Sequence, residues 1–387
     1  MKKQPNWVMQ AIMLAGAYTA FNIGSGFATG NEVMQFFNSW GGYWPYVIWA
    51  LGLLFALVTN HIMYKTGMTV SMEEYKSPYQ YYCGKTIGKI FDIYVYVCLI
   101  AFVLVMISGS GATVNQYYNL PEWVGTIGMG VICGAIACLG LRKLVDVLGS
   151  IGIVILVFTV ACAIYMICTA GTDPVTASAN ATAYVAEGKI LQPNVFGIKH
   201  PLVCGFSYSG VLMMCCIAWV HTTGALLKDR RQMRLTSGLS SFFYYLPVLA
   251  VVLALALNMD AIAGSQIPML AAVQNMIPKI AGLYTIIIIL GIFTTATGQL
   301  FLLGDRFATE GTPKFYAVIF GIVAFAIVGG LFIPFSIIVN IVYSILGMSG
   351  IIMAIFMVVK VLRVRSAAKK ADAVSAPIPA PQPEPEG

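Results

Sequence analysis

Charged residues are scarce in this chain. Asp, Glu, Lys and Arg make up 10% of its 387 residues, whereas about a quarter of a typical soluble domain is charged. The hydrophobic fraction is 59%, and apolar runs of roughly 20 residues, long enough to cross a hydrocarbon core, recur from end to end. The composition therefore excludes a soluble globular domain and predicts an all-α protein that crosses a membrane several times.

The usual motifs of metal and disulfide chemistry are also missing. The nine cysteines form no C-x-x-C pair, so we expect neither a zinc site nor a disulfide framework. The three histidines form no H-E-x-x-H motif, which removes one common class of metalloprotease. The formal net charge is +7, but Lys and Arg lie in short segments between apolar runs and form no basic face. We therefore expect no nucleic-acid partner.

Apolar runs between polar segments predict ten membrane helices, with both termini in the cytoplasm. In this arrangement every Lys and Arg except Lys189, Lys199 and Lys279 lies on the inner side, as the positive-inside rule requires. Residues 1–365 form the transmembrane domain, and we expect the Pro-rich tail, residues 366–387, to be disordered in the cytoplasm. The predicted spans are residues 7–38, 41–64, 90–116, 121–141, 144–170, 201–225, 236–257, 279–303, 313–332 and 334–362.

The first and sixth predicted spans are interrupted by small residues. Residues 24–30 read GSGFATG, and residues 205–210 read GFSYSG. Each glycine inside a helix costs roughly 0.5 to 1 kcal/mol relative to alanine, although small residues also let membrane helices approach closely. Breaks five spans apart are typical of two five-helix halves in inverted topology, with a solute site between them. The halves would be residues 7–170 and 201–362.

Residues 20–37, which read AFNIGSGFATGNEVMQFF, resemble the signature of the YkvI-type bacterial membrane proteins. These belong to the amino acid-polyamine-organocation superfamily, whose members have the LeuT fold. The resemblance implies a 5+5 inverted repeat with helices 1 and 6 discontinuous. It also implies a secondary transporter in the cytoplasmic membrane of a bacterium, which moves a small amino acid or amine-type solute by alternating access. The implied partners are the solute and the lipid bilayer, and the oligomeric state is left open.

The same resemblance implies a substrate site and a coupling ion. The coupling would be symport with Na⁺ or H⁺, with no other cofactor. The implied substrate-binding residues lie in spans one and six, and are Gly24, Ser25, Gly26, Phe206, Ser207, Tyr208 and Ser209. The alternative for the hydroxyls is an ordinary packed stretch whose side chains bond the preceding helical turn.

A sodium site is implied between spans one and eight. The hydroxyls of Thr294 and Thr295 resemble the pair that holds sodium in sodium-coupled members. Carbonyls near Ala20, Ile23 and Gly291 would complete the site, since hard cations prefer oxygen ligands. Against this, threonine in a membrane helix commonly bonds a carbonyl of its own preceding turn.

Glu32 is the most deeply embedded acid in the predicted spans. Placing a charge near the centre of a bilayer costs at least about 2.5 to 3.5 kcal/mol on insertion scales, so we expect Glu32 to face protein or water. Three roles stay open. Glu32 caps the half-helix that begins near Asn31, or carries a coupling proton, or supplies the counter-charge for a cationic substrate.

Two other function classes fit parts of the sequence. An intramembrane hydrolase would use Ser207 or Ser209 as nucleophile and His200 or His221 as base. The G-x-S-x-S pattern at residues 205–209 departs from the G-x-S-x-G motif of such enzymes, so we expect no enzyme. A channel or ligand sensor that keeps the transporter fold is the second alternative.

Overall fold

The computed structural model describes residues 6–23, 25–70, 75, 77–139, 141–193 and 200–374. Within these ranges, every regular element is helical. The helices are α1 (Trp7–Asn22), α2 (Ser25–Thr29), α3 (Asn31–Phe36), α4 (Trp44–Thr69), α5 (Pro78–Tyr118), α6 (Glu122–Ala137), α7 (Leu141–Thr169), α8 (Pro174–Ala177), α9 (Ala181–Ala186), α10 (Pro201–Gly224), α11 (Arg230–Ala256), α12 (Met259–Ile262), α13 (Pro268–Met276), α14 (Ala281–Phe307), α15 (Pro313–Phe332) and α16 (Phe335–Val374).

The protein is a multi-pass α-helical membrane protein. Eight of the described helices are long and apolar enough to cross a membrane. They leave large apolar side chains outside the bundle, such as Val157 and Leu246, at 62% and 66% exposure, and such patches need a lipid environment. The ten-span count and the inverted repeat of residues 7–170 and 201–362 stay predictions.

The predicted interruption of the first span is confirmed. The helical conformation of α1 ends at Ile23, whose backbone is extended, and α2 and α3 follow as two short helices. Gly30 separates these two with a left-handed backbone, φ 72°, which a residue with a side chain rarely adopts. A Cβ on Gly30 would also lie 2.7 Å from Cγ of Met269 in α13. The glycine therefore both turns the chain and admits a close neighbour.

The predicted interruption of the sixth span is wrong, because α10 runs unbroken from Pro201 to Gly224. Its glycines serve helix packing instead. A Cβ on Gly205 would lie 2.7 Å from the carbonyl oxygen of Ile48 in α4, and one on Gly210 would lie 2.5 Å from that of Gly347 in α16. Small residues allow such close approach. As a result, α10 is the most buried of the eight long helices.

Two segments differ from their predicted ends. The last helix, α16, continues to Val374, so the tail does not begin at residue 366 as predicted. Residues 375–387 of the predicted tail lie outside the described residues. No helix is predicted between α11 and α14, yet α13 forms there and buries Met269 and Leu270. This short helix packs against α2, α3 and α11, and therefore covers the broken span.

Candidate functional site

A carboxylate buried among tyrosines lies where the broken span meets three long helices. Glu32 stands in the first turn of α3 and is 4% exposed. The Tyr208 hydroxyl of α10 donates to Glu32 Oε1 at 3.0 Å, and the Tyr343 hydroxyl of α16 lies near Glu32 Oε2, because a Cβ on Gly26 would meet both atoms. The Tyr208 hydroxyl also lies 2.8 Å from that of Tyr244 in α11. We call Glu32, Tyr208, Tyr244 and Tyr343 the carboxylate cluster.

No cation neutralises this carboxylate in the described part of the chain. The ion pair found among the described residues joins Lys189 and Glu187 at 2.8 Å on the surface. The partners of Glu32 are neutral hydroxyls, which stabilise a carboxylate less than a charge does. A buried ionised carboxylate without a counter-charge is costly. The site is therefore suited to hold either a proton on Glu32 or a small cation beside it.

Gly26 in α2 faces the carboxylate cluster directly. A Cβ on Gly26 would overlap Oε2 of Glu32 and lie 2.6 Å from the Tyr343 hydroxyl oxygen. The absence of a side chain at this position therefore lets α2 contact the acid. Of the other predicted residues in this segment, Gly24 and the side chain of Ser25 lie outside the described residues.

The predicted residues of α10 point in different directions from this helix and contact different neighbours. Tyr208 joins the carboxylate cluster, and Ser209 donates to the Gly52 carbonyl at 2.8 Å and bonds the Tyr245 hydroxyl. Ser207 is buried against α16 and has no hydrogen-bond partner among the described atoms. Phe206 packs on Phe55 of α4, with ring centroids 5.8 Å apart. The structure therefore brings Gly26, Tyr208 and Glu32 together, and leaves Phe206 and Ser207 apart from them.

Aromatic rings pack around the tyrosines of the cluster. Phe37 packs edge-on against Tyr208, with ring centroids 4.8 Å apart. Phe102 packs against Tyr343 at 5.1 Å, and Phe36 contacts both tyrosines at 6.1 and 6.2 Å. An apolar surrounding strengthens electrostatic interactions, because the local dielectric constant is low. The free energy of the site consequently depends strongly on whether Glu32 is ionised or protonated.

A network of amide side chains lies next to the carboxylate cluster, on the side that the predicted topology places toward the outside. Asn31 Nδ2 donates to the Gln266 carbonyl at 2.7 Å and to Ser336 Oγ at 2.9 Å. Gln35 Nε2 donates to the Ser336 carbonyl at 2.8 Å, and Asn340 Nδ2 donates to Gln35 Oε1 at 2.8 Å. These residues were not predicted to belong to the site. Their signal was the i, i+4 spacing of Asn31 and Gln35 in an otherwise apolar run.

The predicted sodium ligands are not joined by hydrogen bonds. Thr294 Oγ1 donates to the Gly291 carbonyl of its own helix at 3.0 Å, and the Ile23 N–H donates to the Thr19 carbonyl at 2.8 Å. Among the described residues, no hydrogen bond links Thr294 or Thr295 to Ala20 or Ile23. The sodium site stays a prediction.

The serine and histidine pairs considered for a hydrolase are likewise separate. The His221 ring nitrogens lie 2.7 Å from the Ile217 carbonyl and 3.0 Å from the Tyr82 hydroxyl. His200 Nδ1 accepts from the Leu202 N–H at 3.3 Å. In the described ranges, neither histidine hydrogen-bonds a serine of α10, and no group of three or more His, Cys, Asp or Glu is placed to hold a metal ion.

Comparison with known proteins gives two bacterial relatives. No protein-family model matches the chain. The chain is 29% identical over 125 residues to the uncharacterized membrane protein YkvI of Bacillus subtilis, and 30% identical over 133 residues to the uncharacterized protein YyaD of the same organism. The matched segments cover 32% and 34% of this chain, and they span only 36% and 37% of the relatives. These matches agree with a bacterial membrane protein.

Solved structures of a manganese transporter from Eremococcus coleocola are also similar. Two mutant forms match with a TM-score of 0.43 at 13% identity, over 95% of this chain and 72% of theirs. A complex of that transporter with an aromatic bis-isothiourea substituted compound matches with a TM-score of 0.36 at 10% identity. Likeness at this level assigns neither a solute nor a coupling ion to this chain.

Proposed function

We propose that this chain is a secondary transporter in which Glu32 alternates between binding a proton and binding the cationic amine of a small solute. The observation that carries this proposal is the burial of Glu32, 4% exposed, among tyrosine hydroxyls with no described cation beside it. A structural carboxylate would be expected to have a permanent positive partner at such depth. A buried acid without an ion-pair partner instead suits a group that receives its positive charge from the bulk solution.

The position of Glu32 in α3 favours an amine over a carboxylate as the recognised group. The N-terminus of a helix carries a partial positive charge and attracts anions. Glu32 already occupies the first turn of α3, so a second carboxylate there would meet a like charge. An ammonium group would instead gain an ion pair with Glu32. For a small amino acid, the amino group would bind this acid and the carboxylate would require another partner.

The same electrostatics favours exchange of the solute for a proton. The closed conformation is energetically favourable when a proton or an ammonium group neutralises Glu32. It is unfavourable when Glu32 is ionised and no ammonium group is bound beside it. A carrier that closes only in these two states returns with a proton after releasing its amine. Symport with H⁺ or Na⁺, which the family resemblance implies, is the alternative.

Proton flux in liposomes distinguishes these mechanisms. The purified protein is reconstituted with a pH-sensitive dye inside, and putrescine, agmatine, lysine or alanine is added outside. Exchange predicts that an amine-bearing solute makes the interior more alkaline and that an acidic interior accelerates uptake. Proton symport predicts that an acidic exterior accelerates uptake. Sodium symport predicts a sodium requirement that Thr295→Val removes.

The variant Glu32→Gln tests the role of the acid itself. Glutamine keeps the shape and the hydrogen-bonding capacity of a protonated glutamate, so the protein should insert and fold. We expect it to lose proton-coupled uptake altogether. Glu310→Gln is the matched control, because Glu310 is exposed between α14 and α15. Unchanged coupling in Glu32→Gln would refute the proposal.

A further inference from the structure

A large groove lies apart from the carboxylate cluster, at the end of the bundle predicted to face the cytoplasm. It has a volume of about 1780 Å³ and is bounded by the first turns of α5 and the last turns of α14 and α16. At its mouth α5 bends at Gly84, where the backbone has φ 79°. The short arm before the bend, from Pro78 to Cys83, therefore diverges in direction from the membrane-crossing part of α5.

Unpaired cations line the groove. They are Lys85, Lys89, Arg306, Lys360 and Arg363. In the described part of the chain, none of them forms an ion pair with a carboxylate. Asp92, the acid among the described lining residues, accepts hydrogen bonds from Ser77 Oγ at 3.0 Å and Gln80 Nε2 at 2.8 Å. Among the described residues of the lining, five cations therefore face one acid, and the groove carries an excess of positive charge there.

Two of these cations are held over aromatic rings. The Arg306 guanidinium lies 4.9 Å from the ring centroid of Tyr96, and the Lys360 ammonium lies 4.9 Å from that of Tyr81. Such contacts orient a cation without cancelling its charge. Both groups therefore remain able to bind an anion.

The wall of the groove is apolar and open. Ile93, Val97 and Ile355 line it and are 59%, 60% and 60% exposed. A free inorganic anion would satisfy the cations but would leave this apolar surface uncovered. A molecule with an anionic head and a hydrocarbon chain would satisfy both parts. Basic pockets between membrane helices on the cytoplasmic side are suited to anionic lipid head groups.

We propose that this groove binds one anionic phospholipid of the inner leaflet. The phosphate lies among Lys85, Lys360 and Arg363, and an acyl chain lies along Ile93 and Ile355. The lipid thereby connects α5 with the end of α16. This site is independent of the transport proposal, because none of its residues belongs to the carboxylate cluster.

Thermal unfolding in detergent tests the lipid site. Phosphatidylglycerol is added to the delipidated full-length protein, and phosphatidylcholine with the same chains is added in parallel. We expect phosphatidylglycerol to raise Tm at least twice as much as phosphatidylcholine does. The triple variant K85Q/K360Q/R363Q should remove this difference. The control R230Q/R231Q, which neutralises two exposed cations at the start of α11, should keep it.

Three results would overturn the site. The first is an equal rise in Tm with both lipids, and the second is a full phosphatidylglycerol effect in the triple variant. The third is an equal effect of inorganic phosphate, which would show an anion site that does not use the apolar wall. Native mass spectrometry gives a second measurement that does not depend on stability. We expect one phosphatidylglycerol to be retained by the wild type and lost from the triple variant.

Discussion

At the scale of single residues, glycine and glutamate cooperate in the broken span. Gly26 has no side chain where the carboxylate of Glu32 needs room, and Gly30 adopts the left-handed backbone that separates α2 from α3. Both glycines are visible in the sequence as breaks in an apolar run. Their separate roles are not visible in the sequence. Gly26 lies against Tyr343 and Gly30 lies against Met269, in helices more than 200 positions away. Sequence reasoning consequently located this segment but not its partners.

Gly26→Ala should impair transport without unfolding the protein. The added Cβ would meet the Glu32 carboxylate and the Tyr343 hydroxyl, and these are side-chain ends that can move aside. We expect uptake to fall by roughly tenfold or more, because small displacements of binding groups have large effects on rate. Liposome uptake measures the transport rate, and thermal unfolding measures the stability of the fold. Gly16→Ala is the control, since a Cβ there meets nothing within 4 Å, and its uptake should be normal. Equal uptake by both variants would contradict the role of Gly26.

At the scale of elements, apolar run length located the helices well. The predicted spans 201–225 and 313–332 correspond to α10, Pro201–Gly224, and α15, Pro313–Phe332, because crossing a bilayer imposes a minimum apolar length. Apolar run length does not predict whether α10 is continuous or broken. A glycine that breaks a helix and a glycine that admits a neighbouring helix have the same local sequence. Only the proximity of Gly210 to Gly347 distinguishes the two.

Gly210→Ala should therefore destabilise the bundle. The obstructing atoms are backbone atoms of Gly347 and Gly350, which cannot rotate aside as a side chain can. We expect a loss of about 1 to 3 kcal/mol, the usual range for overpacking, measured as a lower Tm or a lower denaturant midpoint. Gly238→Ala in α11 has nothing within 4 Å of the added Cβ and should be neutral or slightly stabilising. A stable Gly210→Ala protein would argue against close packing of α10 on α16.

At the scale of the whole molecule, topology determines which side each loop faces. Three membrane-crossing helices, α10, α11 and α14, separate residue 187 from residue 310, so these positions should lie on opposite sides. The distribution of Lys and Arg predicts residue 187 outside and residue 310 inside. This orientation can be predicted from the sequence because the positive-inside rule depends only on the charges of the loops. The sequence does not predict that α13 covers the broken span, because this depends on tertiary contacts with α2 and α3.

Labelling of single cysteines checks this orientation. In a background without the nine native cysteines, Glu187→Cys should react with a membrane-impermeant maleimide in intact cells. Glu310→Cys should react only after the membrane is permeabilised. Both positions are exposed, so a difference in reactivity reports sidedness and not burial. The reverse pattern would invert the predicted topology.

The solitary acid of the broken span also bears on how such a protein would draw on cellular energy. In the proposed exchange, a solute of net charge +1 leaves Glu32 whenever a proton arrives, so a complete cycle with such a solute carries no net charge through the lipid. Membrane voltage, which performs about 2.3 kcal/mol of work per elementary charge at 100 mV, would then perform none on this cycle. The ratio of solute concentrations and the difference in pH would alone determine which way the solute flows.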